Sequence, residues 1–517
     1  MVELIIMLVL YVATMVAIAY YSRKRSKSLN EFFLAGKGVG GWMSAFAYGT
    51  SYFSAVIFIG YAGKFGQGFG ASAMWIGIGN AIIGSLLAWL ILAKRTRNVT
   101  RAMGVKTMPQ YFEKRYDSKW IKLVTAIIVV VFLLPYSASV YQGLGELFSL
   151  IFGVGLENKE TVFVICVLVM AALTACYLFL GGYFATALTD FIQGIIMIVG
   201  VILMAIFLFN NGAVGGVSNA LSTLAEQGKG IIPSNGDIAF NLIIIVLLTS
   251  LGSWGLPQMV HKFYAVKNEK SIKQATVIST VFAFIIGGLA YICGSLTIIY
   301  LAGQTVTGDA MVPTMLTMDG VLPAIVLAIV SVLMLSASMS TLSALALEGS
   351  GAMILDVYKG YMKKNTEEKK QNTLVRIFSI IFIILSVLIA IFKPAGIVEL
   401  MGLSWGTLAG CFIGPYVWGL YMKKANKFGC WWSVIQCLII TLVLTLVWGL
   451  SKSPLIGVIC MGASLLMTPL VSLATQKLVK TPEAAQESVE ETKEEATQEE
   501  SAEPAADAAP AVEAENN

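Results

Sequence analysis

Thirteen apolar stretches, separated by short polar segments, dominate the pattern of this 517-residue chain. A helix needs about 20 apolar residues to cross the hydrocarbon core of a bilayer, and the stretches are close to that length or longer. They cover residues 2–21, 41–63, 70–93, 121–152, 161–180, 184–209, 239–260, 274–301, 321–347, 376–392, 396–421, 428–449 and 453–475. The pattern predicts an all-α membrane protein with about thirteen transmembrane helices.

Hydroxyl side chains interrupt the ninth stretch, which is otherwise apolar and contains Ser336, Ser338, Ser340, Thr341 and Ser343. Lipid offers these groups no hydrogen-bond partner, so several of them at helical spacing indicate a hydrated or ion-lined interior. This feature favours a protein that moves a solute or an ion.

Two other stretches contain residues that break helices. The second has Gly49, Thr50, Ser51 and Ser54 near its middle, and the seventh has Gly252-Ser-Trp-Gly-Leu-Pro257, where proline removes a backbone donor. Small residues also suit close packing of helices, and this alternative stands for each stretch alone. Two interrupted spans five helices apart predict an inverted five-plus-five repeat with substrate between its halves.

The predicted organisation has five parts. An N-terminal helix and loop (1–40) precede two five-helix repeats (41–210 and 211–422), two peripheral helices (423–480) and an acidic tail (481–517). The tail is rich in Ala, Glu and Pro and has no apolar periodicity, so we expect a disordered, solvated segment; an electrostatic tether to basic loops is the alternative.

Composition supports a membrane protein, since 57% of residues are hydrophobic, 13% are charged and the mean hydropathy is +0.79. The loops are too short for a catalytic or signalling domain, which disfavours an enzyme or a membrane sensor. The sequence has no rings of charge or repeated filter loop, which disfavours a channel.

Basic residues cluster on alternate loops. If the N-terminus lies outside, the inner segments hold the basic runs at 23–37, 94–122, 262–273, 359–376 and 423–427. The outer segments hold only Lys64, Lys159, Lys229, Lys393 and Lys452. Because positive loops stay in the cytoplasm, we predict a plasma-membrane protein with its N-terminus outside and its C-terminus in the cytoplasm.

The cysteines and the single histidine carry weaker signals. The seven cysteines lie singly, mostly inside apolar spans, without metal or disulfide spacing, and are interpreted as small buried hydrophobes. His261 follows an apolar run beside Lys262, and we expect a packing or surface role, because one histidine cannot form a proton relay.

One carboxylate, Asp190, lies inside the sixth stretch, near its predicted cytoplasmic end. Such a group is costly and indicates function, although snorkelling to the surface is the alternative. Sodium is a hard cation that prefers oxygen ligands. Candidate ligands are the carbonyls near Thr50 and Phe53, the carbonyl of Ala337, and the hydroxyls of Ser340 and Thr341, the last three residues sharing one helix face.

Four motifs carry a family resemblance: Phe32-Phe-Leu-Ala-Gly-Lys37, Tyr136-Ser-Ala-Ser139, Thr189-Asp190, and Met339-Ser-Thr-Leu-Ser343 followed by Asp356-Val-Tyr-Lys359. Over about residues 1–450 the chain resembles bacterial sodium:solute symporters, the family of the sodium/proline and sodium/pantothenate carriers. The resemblance implies a LeuT-type fold with one extra N-terminal helix and, here, two C-terminal helices.

The resemblance also implies roles for individual residues. Thr50, Phe53, Ala337, Ser340 and Thr341 match the principal sodium site of the family, while Asp190 and Ser343 take part in ion coupling. Members with a second sodium site carry a further serine where this chain has Ala344, which favours one co-transported sodium ion per cycle. A proton acting through Asp190 is the main alternative driver.

The substrate pocket departs further from the known members. Proline carriers have an aspartate at the position of Tyr52 and an aromatic pair at Thr249 and Ser253, and the arginine of sialic-acid members is missing between Lys122 and Lys159. The candidate pocket residues are Ser51, Tyr52, Ser54, Tyr136, Gln142, Ser253, Trp254, Gln258, Ser404 and Trp405.

These residues offer hydroxyls, amides and aromatic faces without a fixed cation, which suits a small zwitterion, a monocarboxylate or a polar neutral solute. We therefore predict a sodium-coupled symporter of a small organic solute, such as an amino acid or a monocarboxylate. It works by alternating access in the lipid bilayer and has no nucleic-acid partner.

Overall fold

A computed structural model describes residues 2–22, 29–153, 158–306, 308–363 and 366–479. Within these ranges the long elements are all helices, and the β-type pairing is limited to one isolated bridge between Val39 and Val266. The acidic tail, 481–517, lies outside the described residues, so its predicted disorder stays a prediction.

The first half of the chain contains the helices α1 (Val2–Ser22), α2 (Gly41–Tyr52), α3 (55–69), α4 (74–102), α5 (Met108–Tyr116), α6 (Lys119–Phe152) and α7 (Lys159–Asn210). The second half contains α8 (Gly236–Gly255), α9 (Pro257–Ala265), α10 (Glu269–Ser295), α11 (324–362), α12 (Glu368–Phe392), α13 (Ile397–Tyr421), α14 (Lys427–Trp448) and α15 (Ser453–Ala474).

Short polar side chains determine where several helices begin. Ser118 accepts a hydrogen bond from the backbone N–H of Ile121 at the start of α6, and Asn268 accepts one from Ser271 at the start of α10. These side chains satisfy backbone donors that have no partner within the first turn of a helix.

The predicted number of membrane crossings agrees with the structure. Eleven helical segments of the described chain are long and apolar enough to cross a bilayer. One of them, Ile57–Ala102, comprises α3 and α4, because the chain reverses at Gly70, where φ is +65°. A shorter apolar segment, Glu160–Cys176, forms the first part of α7 and brings the total to thirteen.

Both ends of α7 lie at the same end of the bundle. The Lys393 ammonium lies 3.6 Å from the ring centroid of Phe163, near the start of α7. The Tyr300 hydroxyl donates to Leu208, near the end of α7 (2.7 Å). The 52 residues of α7 add up to about 78 Å of helical rise, which is enough for two crossings, and the path turns back between Cys176 and Ala185.

The two ends of the bundle differ in charge. One end, called the basic end, contains Arg101 and Arg115. Arg101 donates to the carbonyl of Val266, and Arg115 donates to the carbonyl of Gly419. The opposite end contains Lys393 and the loop of Asp309, whose carboxylate accepts a hydrogen bond from Ile397 N (3.0 Å). Burial raises the pKa of the Asp309 carboxyl.

The extra helix α1 packs against the outside of the repeats. Its Tyr11 is buried and accepts a hydrogen bond from Gln193 Nε2 of α7 (2.7 Å), while the Tyr11 hydroxyl also contacts Met339 Sδ of α11 (3.6 Å). Met339 therefore faces α1, and the neighbouring hydroxyls of α11 face the interior.

Candidate sodium and solute site

The membrane crossing formed by α2 and α3 is broken at Phe53 and Ser54. Phe53 has an extended backbone (φ −108°, ψ 98°), and its N–H makes the last helical hydrogen bond, to Gly49 (3.1 Å). Ser54 Oγ then accepts from Val56 N (3.3 Å) and so helps to start α3. The break leaves the carbonyl of Thr50 available to a neighbouring helix.

That carbonyl points at the hydroxyl-rich part of α11. Ser340 Oγ lies 3.0 Å and Thr341 Oγ1 lies 3.4 Å from the Thr50 carbonyl oxygen. The same two hydroxyls lie 3.0 and 3.1 Å from the carbonyl oxygen of Ala337. Four of the five predicted ligand oxygens thus converge in the interior, in an arrangement that suits a hard cation.

The other residues assigned to sodium lie beside this oxygen cluster. Phe53 is one position beyond α2, and none of the described residues donates a hydrogen bond to its carbonyl oxygen. Ser343 donates to the carbonyl of Ser340 (2.8 Å), one turn from the cluster. Ala344 is buried and brings no side-chain oxygen.

Asp190 lies in the interior of the bundle, so the structure excludes the snorkelling alternative. Its side chain is 1% exposed, and neither carboxylate oxygen has a hydrogen-bond partner among the described residues. One turn further along α7, Gly194 packs so closely on α2 that an added Cβ would lie 3.2 Å from Thr50 Cγ2. Asp190 is therefore near the oxygen cluster without being in contact with it.

Lys262 requires a correction of the predicted loop charges. The sequence pattern placed it in a cytoplasmic basic loop, whereas α9 continues to Ala265 and buries the lysine side chain, which is 3% exposed. Its ammonium lies 3.7 Å from Asp190 Oδ2. The interior thus contains a buried lysine. The hydropathy pattern could not separate this residue from the loop lysines that follow it in the sequence.

His261 is buried, and it also faces a charged group. Its Nδ1 lies 3.0 Å from Glu348 Oε1, and its ring packs edge-on against Phe33 and Tyr183. The sequence analysis did not single out Glu348. The available signal was the position of this carboxylate seven residues after Thr341, on the same face of an apolar helix.

A narrow cavity, with free space of only about 10 Å³, lies beside the break at Phe53 and Ser54. It is lined by Tyr52, Ser54, Ile57, Tyr61, Asn80, Thr249, Tyr291, Met401 and Trp405. None of these described residues carries a charge, so the lining suits a small polar solute, which enters only when the side chains around this nearly closed cavity move apart.

The predicted pocket residues divide into three groups. Tyr52, Ser54 and Trp405 line the cavity, and Tyr136 packs edge-on against Trp405 (5.7 Å between ring centroids). A second group is buried with polar side-chain atoms that have no partner among the described residues: Ser51, Gln142 and Gln258.

The third group does not line the cavity. Ser253 Oγ donates to the carbonyl of Gly84 (3.1 Å), and Trp254 Nε1 donates to the carbonyl of Ile83 (2.9 Å). Ser404 donates to the carbonyl of Phe132. These three side chains hydrogen-bond to the backbone of neighbouring helices instead of facing the cavity. The bonds matter because a buried donor without a partner is costly.

Asn80 is a pocket residue that the sequence analysis missed, although it is a lone amide in an apolar stretch. Its Oδ1 accepts hydrogen bonds from Thr249 Oγ1 (2.7 Å) and Ser250 Oγ (3.0 Å). The two hydroxyls orient the amide, so its NH₂ group remains available to a solute in the cavity.

The break at Phe53, a second break at Leu256 between α8 and α9, an oxygen cluster beside the first break and a small polar cavity define a secondary transporter of the LeuT type. The model of the sodium:solute symporter family matches residues 32–437, and the chain belongs to this family.

Individual relatives agree with this assignment. The osmoregulated proline transporter OpuE of Bacillus subtilis (strain 168) is 27% identical, over 93% of this chain and 96% of the relative. Sodium/proline symporter 2 of Staphylococcus saprophyticus is also 27% identical, over 85% of each chain.

Solved structures confirm the fold. A Na⁺-coupled sialic acid symporter in a substrate-bound outward-open state matches with a TM-score of 0.76 at 18% identity, over 93% of this chain and 98% of that one. Inward-facing Mhp1 matches with a TM-score of 0.53 at 14% identity, over 88% and 95%. These structures confirm the fold, and membership of the sodium:solute symporter family confirms sodium-coupled transport of a small organic solute. The roles of individual site residues stay predictions.

Proposed function

We propose that this symporter binds one sodium ion between Thr50, Phe53, Ala337, Ser340 and Thr341 and couples it to the import of a small amino acid or monocarboxylate. The observation that carries this proposal is the approach of Ser340 and Thr341 to the Thr50 carbonyl at the helix break.

The oxygen cluster favours sodium because its oxygens keep lone pairs after they hydrogen-bond to one another. Two hydroxyl protons face two carbonyl oxygens, and each hydroxyl oxygen also has lone pairs free for a cation. A bare cation at the centre is a common partner for all four oxygens and replaces its lost hydration shell. The absence of a side-chain oxygen at Ala344 supports a single sodium ion.

The nearby Asp190 carboxylate has a role in ion coupling in this scheme. It adds negative charge close to the cluster without direct contact, so it stabilises the bound cation through space. A sodium ion that leaves towards the basic end passes this carboxylate.

The solute class follows from the cavity. Its lining supplies the Asn80 amide, tyrosine hydroxyls and the Trp405 ring, but no cation that would hold a multiply charged anion. The amino-terminal end of α3 begins beside Ser54, and its partial positive charge favours a single carboxylate. The proline-transporting relatives are consistent with an amino-acid-sized solute.

Transport by alternating access draws on the membrane potential and the sodium gradient. One charge moved through about 100 mV supplies about 2.3 kcal/mol, and a tenfold sodium gradient adds about 1.4 kcal/mol. The sum of about 3.7 kcal/mol sustains a solute gradient of order 500-fold at one-to-one coupling. The basic end faces the cytoplasm in this proposal, with the N-terminus outside.

Uptake into proteoliposomes tests the proposal. Labelled proline, other small amino acids and short monocarboxylates are offered with an inward sodium gradient, with potassium, and with an inward proton gradient in the absence of sodium. We expect concentrative uptake of one solute class in the sodium arm alone. Equal uptake driven by protons without sodium would instead support proton coupling through Asp190.

A further inference from the structure

A buried ionic cluster lies between the sodium site and the basic end of the bundle. It consists of Asp190 on α7, His261 and Lys262 on α9, and Glu348 on α11, whose side chains are at most 4% exposed. Glu348 follows Thr341 by seven residues, so it lies about 10 Å nearer the basic end along α11. The function proposed above gives His261, Lys262 and Glu348 no role.

The charges of the cluster do not balance without one more positive charge. Lys262 is the single ammonium, 3.7 Å from Asp190 and within electrostatic reach of Glu348. With His261 neutral, two carboxylates and one ammonium leave a net charge of about −1, and a buried charge without a counter-charge is strongly unfavourable. One proton held between His261 Nδ1 and Glu348 Oε1, 3.0 Å apart, makes the cluster neutral.

Unsatisfied polar atoms point the same way. Both oxygens of Asp190, Nε2 of His261 and Oε1 of Glu348 are buried and have no hydrogen-bond partner among the described residues, so the 3.0 Å contact of Glu348 with His261 is a close approach and not a formed hydrogen bond. A buried polar group of this kind needs a partner that the protein itself does not supply here, such as a proton, an ion or a water molecule.

The surrounding titratable groups do not supply the missing charge. They are Tyr11 on α1, near Asp190, Tyr111 on α5, Tyr183 and Tyr264 beside the histidine ring, Asp356 on α11, and Lys37, Arg97 and Arg101 at the basic end. Asp356 accepts hydrogen bonds from Thr107 and Gln110, both at 2.7 Å. Both arginines donate to the backbone carbonyl of Val266.

We propose that His261 and Glu348 form a binding site for one proton, and that proton binding and sodium binding oppose each other. A sodium ion near Asp190 supplies the same unit of positive charge as the proton, so the two cations compete electrostatically without sharing ligands. A cytoplasmic proton that enters the cluster promotes sodium release at that side. This inference rests on the proposed sodium site.

Equilibrium binding of radioactive sodium to the purified full-length protein, from mildly acidic to mildly alkaline pH, tests the proposal. We expect the sodium dissociation constant to rise as the pH falls, approaching about tenfold per pH unit if one sodium ion displaces one proton. In Glu348→Gln the pair of Asp190 and Lys262 is already neutral, so sodium binding becomes independent of pH. Glu113→Gln, which removes a carboxylate outside the cluster, keeps the wild-type pH dependence.

A second measurement separates the proton site from the sodium site. In potassium buffer without sodium, we expect the difference in unfolding temperature between wild type and Glu348→Gln to change with pH, because only the wild type takes up the proton. If the glutamine variant does not fold, Glu348→Met provides the same comparison.

Two results would overturn the proton site: a Glu348 variant with the wild-type pH dependence of sodium binding, or a difference in unfolding temperature that is the same at every pH. A wild-type protein that binds no sodium at any pH would contradict the proposed sodium site instead. The comparison of unfolding temperatures in potassium would then still show whether His261 and Glu348 bind a proton.

Discussion

At the scale of single residues, helical spacing predicted which three residues of α11 share one face, while their role as sodium ligands stays a prediction. Ala337, Ser340 and Thr341 are three or four residues apart, so their positions on one face follow from the geometry of the helix alone. Spacing gave no information about which helix they face. The short distances to the Thr50 carbonyl depend on tertiary packing, as does the pairing of His261 with Glu348.

Removing the two hydroxyls of the oxygen cluster will weaken sodium binding. Ser340→Ala and Thr341→Ala each delete one neutral ligand, and a hydrogen bond to a charged group is worth about 1.5–3 kcal/mol. We expect the sodium concentration for half-maximal uptake to rise at least about tenfold in each variant.

Ser338→Ala is the matched control, because that hydroxyl is equally buried but donates to the carbonyl of Met334 within α11. Its sodium requirement should equal that of the wild type. Unchanged sodium activation in the Ser340 and Thr341 double variant would contradict the proposed site.

Replacing Asn80 with aspartate tests whether its amide NH₂ group recognises the solute. Aspartate keeps an oxygen that accepts from Thr249 and Ser250 but loses the donor and adds a negative charge. We expect the solute KM to rise more than about tenfold for carboxylate solutes, while sodium binding changes little. An unaltered KM in uptake assays would show that Asn80 does not contact the solute.

At the scale of the helices, the sequence identified the two breaks correctly, because Gly, Ser and Pro act on the local backbone. Leu256 is extended (φ −84°, ψ 124°) directly before Pro257, in line with the predicted interruption. The boundary of α9 was less predictable. Lys262 looks like a loop residue in sequence, and only the packing of α9 into the bundle shows that it is buried.

The close contact between helices α4 and α10 depends on glycine at position 77. A Cβ added to Gly77 would lie 2.3 Å from the carbonyl carbon of Gly287, and backbone atoms cannot move aside as a flexible side chain can. We expect Gly77→Ala to destabilise the protein by about 1–3 kcal/mol and to lower its unfolding temperature.

Gly288 provides the matched control, since an added Cβ there meets no atom within 4 Å. Gly288→Ala should leave the unfolding temperature unchanged or raise it, because alanine is the better helix former. Equal unfolding temperatures for Gly77→Ala and Gly288→Ala would show that the close backbone contact does not contribute to stability.

At the scale of the whole molecule, composition and hydropathy were sufficient to predict the class and the number of crossings. The thirteen crossings include the reversal at Gly70 and the double passage of α7, which the apolar stretches had already separated. The cavity was not predictable in the same way. Its lining combines α2, α3, α4, α8, α10 and α13, and no property of one helix reveals which side chains meet there.

Sodium will stabilise the folded carrier as a whole, because the oxygen cluster exists only when α2 and α11 are packed together. A ligand at 100 times its dissociation constant adds about 2.7 kcal/mol to the stability of the folded state. We expect a higher unfolding temperature in sodium than in potassium or choline at equal ionic strength, with a further rise when the transported solute is added in sodium alone. The Ser340 and Thr341 double variant should lose the sodium-dependent part of this shift. Identical unfolding temperatures in sodium and potassium would mean that the converging oxygens of Thr50, Ala337, Ser340 and Thr341 do not select sodium.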